Sequence, residues 1–256
     1  MKLSGNTVLI TGGASGIGFE LATQLSSRGN KVIITGRDQA KLDAAKDRLP
    51  GLVTIVSDVS DPAAITALFE EVESIAPDLN ILINNAGQMR SINLNKSTDD
   101  LAGLTQEVDT NLIGAIRMVA QFLPLLASQP EAAIMNVSSG LAIVPLPISP
   151  VYCATKAAVH SYTQSLRVQL KNSRVKVFEL LPPATETPLL DSFDGRDMEG
   201  TKVMPVQEMV AVAIDGLAKD VLEICPGQSA QLRFMNRLAP KFILKQLSKS
   251  VDAMIS

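Results

Sequence analysis

Apolar residues in this chain gather in short, nearly unbroken runs, and between the runs they recur every three or four positions. The runs fall at 7–11, 31–35, 53–57, 79–84, 132–137, 175–181 and 221–224. Runs this short and continuous predict strands buried on both faces, as in a parallel sheet. The intervening stretches predict helices. Ile17, Leu21, Ala22 and Leu25 share one face of the first. Asp38 is placed to cap a helix over 39–49 that Pro50-Gly51 ends, and Pro62 opens one running to 75. Further helices are predicted over 98–128, 152–170 and 205–219. This alternation, without internal repeat or linker, predicts a single α/β domain over 1–256. It is a doubly wound parallel sheet of about seven strands with helices on both faces and a ligand crevice beyond the strands' carboxyl ends.

The predicted crevice is where chemistry-bearing residues collect. After the first strand comes Gly12-Gly13-Ala14-Ser15-Gly16-Ile17-Gly18. Its glycines allow a tight turn that brings backbone N–H groups, with the helix N-terminus behind them, against a phosphate. The spacing is Gly-x-x-x-Gly-x-Gly, not the Gly-x-Gly-x-x-Gly fingerprint, and a plain strand-to-helix turn is the bland alternative. At the second strand's end, Arg37 stands where an acid would grip the ribose of NAD, and its guanidinium suits the 2′-phosphate of NADP. Asp38 is a contact that would serve NAD instead. Asp58 and Val59 follow the third strand, Asp58 either against an adenine edge or as a turn residue.

Tyr152 and Lys156 lie four apart and share a helix face. An ammonium beside a phenol favours the phenolate, which makes the pair a candidate proton donor and acceptor for a carbonyl or alcohol. Alone the pair is weak evidence, because many surface helices carry it by chance. His160, the sole histidine, reads as structural.

Thr11-Gly12-x-x-x-Gly16-Ile17-Gly18, the run Asn84-Asn85-Ala86-Gly87, Asn111, a serine thirteen before Tyr152, and Tyr152 with Lys156 occur in one order. In that combination the chain resembles the short-chain dehydrogenase/reductase family from Gly5 to about Gly227. The resemblance implies a Rossmann-type fold, NADP (or NAD) as cofactor, and hydride transfer between a ketone and a secondary alcohol. It implies Tyr152 as catalytic acid/base and Lys156 as the residue that lowers its pKa and binds the nicotinamide ribose. Ser139, with Ser138 as the neighbouring alternative, would bond the substrate oxygen. Asn111, 28 before Ser139, would hold a relay water. Cofactor contacts are implied for Gly12, Ser15, Gly16, Ile17, Gly18, Asn85, Ala86, Gly87, Pro182 and Thr187, beside Arg37, Asp58 and Val59. Pro183 replaces the glycine of the family's Pro-Gly-x-x-x-Thr and stiffens that turn. Wording such as Pro-Val-Tyr-Cys-Ala-Thr-Lys is similar to the DltE-type oxidoreductases. Two other readings stand beside a carbonyl reductase or alcohol dehydrogenase: a dinucleotide-binding sensor or scaffold without turnover, and an epimerase or dehydratase.

Apolar loops over 88–92, 141–148 and 188–203 predict a pocket for a hydrophobic ketone or alcohol, the last as a closing lid. Their apolar members are Met89, Leu141, Ile143, Val144, Leu146, Ile148, Leu189, Leu190 and Phe193. Arg90 and Arg196 are candidates to meet a carboxylate.

Charge and composition exclude several classes. A net charge of −3 offers no basic field for nucleic acid. Cys153 and Cys225 lack metal-ligand spacing and read as reduced thiols, so no metal site and a cytoplasmic location are expected. The start carries no signal-peptide pattern, and no apolar run reaches the roughly 18–20 residues that span a bilayer. Residues 228–256 form an amphipathic extension. Arg233, Arg237, Lys241, Lys245 and Lys249 recur every fourth position beside Leu232, Met235, Leu238, Phe242, Ile243 and Leu247, with a break expected at Pro240. From 231 onward, five basic residues against Asp252 give +4, which leaves −7 on the rest of a chain of net −3. The extension could pack on its own or a partner subunit or lie on an anionic membrane, and packing within a homodimer or homotetramer is favoured.

Overall fold

The computed structural model describes all residues except 97–99, 194–201, 250, 252, 253, 255 and 256. Seven parallel strands form one sheet: β1 (Thr7–Thr11), β2 (Lys31–Gly36), β3 (Val53–Val56), β4 (Leu79–Asn84), β5 (Ala132–Val137), β6 (Val175–Leu180) and β7 (Glu223–Ile224). Their spatial order is β3-β2-β1-β4-β5-β6-β7. The order reverses between β1 and β4, so the loops leaving those strands diverge and open a crevice at their carboxyl ends.

Alternation along each strand feeds two cores. Val8, Ile10, Ile34, Met135 and Phe178 face α1 (Gly16–Ser26), α2 (Gln39–Arg48) and α7 (Val206–Ala218). Leu9, Ile33, Ile134 and Val177 face α3 (Pro62–Ile75), α5 (Gly114–Ser128) and α6 (Pro150–Gln169). Burial on both faces is why the strands read as continuous apolar runs. The expected caps form: Asp38 accepts from Lys41 N at 3.2 Å, and Asp61 accepts from Ala63 N at 2.9 Å with Pro62 in the first turn.

The helix expected over 98–128 is three pieces. α4 (Leu101–Val108) starts where Asp100 accepts from Gly103 N at 2.7 Å, and Thr98 lies outside the described residues. A π-helical turn (Asp109–Ile113) then leads into α5. The stretch Leu101–Ser128 is, by length and composition, apolar enough to cross a membrane, which corrects the sequence expectation. Its Met118, Val119, Phe122 and Leu126 are buried on the sheet, as in a core helix. β7 is only two residues, shorter than its apolar run. The tail forms α8 (Gln228–Leu238) and α9 (Pro240–Leu247), broken at Pro240 as expected.

Candidate active site

A cavity of about 730 Å³ opens at the carboxyl ends of β1, β4, β5 and β6. Its floor is the glycine turn. Gly12 has φ +64°, and a Cβ there would stand 2.8 Å from Ala86 Cα, so only glycine lets the two loops touch. Gly16, at φ +52°, lies under Thr187, whose side chain a Cβ would meet at 3.2 Å. Gly18 is packed behind the turn, where a Cβ would meet Asn85 Nδ2 at 2.5 Å. Ser15 caps α1 without a side-chain bond, so the first N–H groups of the helix are free to meet an anion.

The loop after β4 is tied to this floor. Asn85 N and Ala86 N both donate to Thr11 Oγ1 at 3.0 Å, and Asn85 Nδ2 donates to the carbonyls of Thr11 and Gly12. Thr11 thus organises the site, a role its position at the end of an apolar run did not signal. Asn111, in the π-helical turn, donates to Gln88 O at 2.9 Å and to Thr155 Oγ1 at 3.1 Å, and it accepts from Gln88 N at 2.8 Å. Both of its amide hydrogens are spent on fastening that loop to α6.

Ser139, Tyr152 and Lys156 meet on the opposite wall, all at least nine-tenths buried. Ser139 has extended backbone, accepts from Leu141 N at 3.1 Å and lies beside the Tyr152 hydroxyl. Lys156 Nζ donates to Val137 O at 2.9 Å and lies 5.6 Å from the Tyr152 ring centre. The spacing on the helix predicts a phenol made more acidic by its ammonium neighbour. In the structure desolvation dominates: burial pushes the phenol well above its ordinary value, and the Ser139 hydroxyl draws it part of the way back. Burial also pulls Lys156 down to about 8. Cys153, beside the tyrosine, is pushed up to about 11 by burial and is inert as a thiolate.

Not every predicted residue reaches the cavity. Ser15, Gly16, Ile17, Asn85, Ala86, Gly87, Pro182 and Thr187 line it, whereas Arg37, Asp58 and Val59 do not. Arg37 is largely exposed, 3.9 Å from Asp58, whose other oxygen accepts from Ser60. Val59 is core, packed on Gly114. Among the apolar candidates, Met89, Leu141, Leu146, Leu189, Leu190 and Phe193 line the cavity. Val144 and Ile148 are buried away from it, and Ile143 is not on its wall. Arg90 turns instead toward buried Glu107 and the carbonyls of Gly103 and Leu104. Arg196 and half of the predicted lid (194–201) lie outside the described residues.

The sequence reading missed the roof. Leu232, Met235, Ile243 and Leu247, from α8 and α9, close the cavity above Leu141 and Phe193. Their three- and four-residue spacing was the available signal, but periodicity states that a face is covered without stating by what.

Residues 6–197 match the model of the short chain dehydrogenase family. The chain is 42% identical over 250 residues to the uncharacterized oxidoreductase DltE of Bacillus subtilis (strain 168), covering 97% of this chain and 98% of that one. It superposes on a short chain dehydrogenase from Burkholderia cenocepacia in complex with NADP, with TM-score 0.82, 26% identity, and 96% and 99% of the two chains covered. A 3-ketoacyl-(acyl-carrier-protein) reductase from Brucella melitensis complexed with NADH gives TM-score 0.79 at 28% identity, with 89% and 100% covered. With its glycine floor, its serine–tyrosine–lysine wall and its likeness to DltE over nearly the whole length, the chain belongs to the short-chain dehydrogenase/reductase family.

Proposed function

We propose that the protein is an NADP-preferring carbonyl reductase or alcohol dehydrogenase acting on a hydrophobic ketone or secondary alcohol in the cytoplasm. The observation that carries this reading is the meeting of Ser139, Tyr152 and Lys156 on one wall of a cavity whose floor is a glycine-only cradle. The cradle fits a dinucleotide: the missing Cβ at Gly12 lets the Ala86 loop close beside the turn, and the helix N-terminus at Ser15, without a side-chain cap bond, suits a diphosphate. Bound there, the nicotinamide supplies the hydride.

The chain's own residues then manage the oxygen and the proton. Ser139 Oγ donates to the substrate oxygen and fixes it beside the phenol. Tyr152, kept protonated by its burial, delivers its proton to that oxygen as charge develops there and recovers it in the reverse direction. Lys156 binds the ribose hydroxyls, and its ammonium stabilises the transient phenolate. Asn111 holds the 85–88 loop against this helix, which keeps the two walls of the site together. Arg37 is exposed enough to swing onto a 2′-phosphate. The apolar wall and the roof of α8 and α9 support a hydrophobic substrate. Phe234, Leu238 and Phe242, exposed on the outside of that roof, support assembly into a homo-oligomer.

A panel of ketones and alcohols assayed with NADPH and NADH tests the reading. Turnover with NADPH is expected, and Tyr152→Phe should lower kcat by about 10³-fold or more while NADPH still binds. Dinucleotide binding without turnover across the panel would replace the enzyme with a sensor.

A further inference from the structure

Behind the catalytic wall lies a polar chain that reaches the cavity only at Ser138. Glu179, on β6, is completely buried. Its Oε1 accepts from Ser138 Oγ at 2.5 Å, and both its oxygens contact His160 Nδ1, at 3.0 and 2.8 Å. A carboxylate only accepts, so Nδ1 carries the hydrogen. Gln164 Nε2, a donor, stands 3.0 Å from the other ring nitrogen and leaves the proton where Glu179 needs it.

The ends of this chain are what give it meaning. Ser138 is the residue before Ser139, and its backbone N donates to Leu180 O at 2.9 Å. His160 lies one helical turn beyond Lys156 and two beyond Tyr152, on the same helix. A buried carboxylate therefore cross-links the segment carrying the substrate-binding serine to the helix carrying the proton donor. Sheet packing holds such elements only to within side-chain slack, and a misplacement of about 1 Å can cost about 10²-fold in rate.

We propose that His160 and Glu179 form a brace, acting through Ser138, that sets the Ser139–Tyr152 distance. His160 is then a positioning residue and not a structural bystander. This rests on the reading of Ser139 and Tyr152 as the catalytic pair.

The test compares His160→Ala, Ser138→Ala, the double variant and the conservative His160→Asn, whose amide can still donate to Glu179. Four results are expected with NADPH and the best ketone of the panel. Each alanine variant lowers kcat about tenfold with little change in the KM for NADPH. The double variant loses no more than the worse single variant, because both break one chain. His160→Asn recovers most of the rate. A ¹³C-tyrosine label, which reports only Tyr152 and Tyr162, shows the Tyr152 ring signal moved in both alanine variants and restored in His160→Asn. Unchanged kcat in His160→Ala, additive losses, failure of His160→Asn to recover the rate, or an unmoved Tyr152 signal would each overturn the brace. The label needs no turnover, so a moved signal in a protein that reduces nothing would sink the catalytic reading and leave the contact itself standing.

Discussion

The floor and the roof of the cavity are built on different principles. On the floor, Thr11, Asn85 and the glycine turn are joined by hydrogen bonds near 3.0 Å, and glycines sit where no other residue fits. The roof of α8 and α9 meets the cavity through Leu232, Met235, Ile243 and Leu247, side chains that hold by packing. Polar ties do reach it from outside: Arg233 pairs with Glu223, and Asn236 donates to Ile143 O at 3.3 Å. Directional bonds and steric exclusion fix atoms to tenths of an ångström, whereas dispersion contacts tolerate repacking. The comparison teaches that the floor is the closely fixed side of this cavity and the roof its more adjustable side.

Breaking the floor should have the largest effect. Gly12→Ala forces a side chain to positive φ and against Ala86, and dinucleotide affinity is expected to fall about 10²-fold or more by calorimetric titration. A smaller loss would mean that the 85–87 loop can yield. Next comes Lys156→Met, which should lower kcat by about 10²-fold and at the same time stabilise the fold. Lys156 is lowered by burial to about 8 from 10.5. Between those pH values the unfolded chain binds the extra proton, so stability rises with pH across that window, and the cost of burying the ammonium is felt in full below it. Met removes that cost. Thermal unfolding should show a higher Tm at pH 7, by roughly 2–4 °C for each kcal/mol regained. The Tm profile should also be flatter between pH 8 and 10.5.

The mildest change is at the roof. Met235→Ala should raise KM for a long apolar ketone about tenfold, near 1.4 kcal/mol, with kcat and NADPH affinity little changed. A matching loss with the smallest ketones of the panel would show that the roof serves folding and not substrate choice.

The comparison also marks how far local sequence could be read. The glycine turn, the Asn-Asn-Ala-Gly run and the Tyr152–Lys156 spacing are short-range patterns with few structural solutions, and they sit at strand ends that alternation alone locates. Arg90 was misread because an exposed arginine and one engaged with buried Glu107 look alike in sequence. The π-helical turn at Asn111 was invisible for a related reason: an inserted residue does not disturb an apolar period over one turn.

By itself the sequence determined the strand–helix order and the two-sided core, because burial periodicity and backbone sterics act over a few residues. Tertiary structure alone decided that the tail roofs the cavity, that Glu179 joins His160 to Ser138, and that burial is the largest influence on the phenol. Each of these depends on which groups lose contact with water when distant segments close over one another, and no local pattern records that.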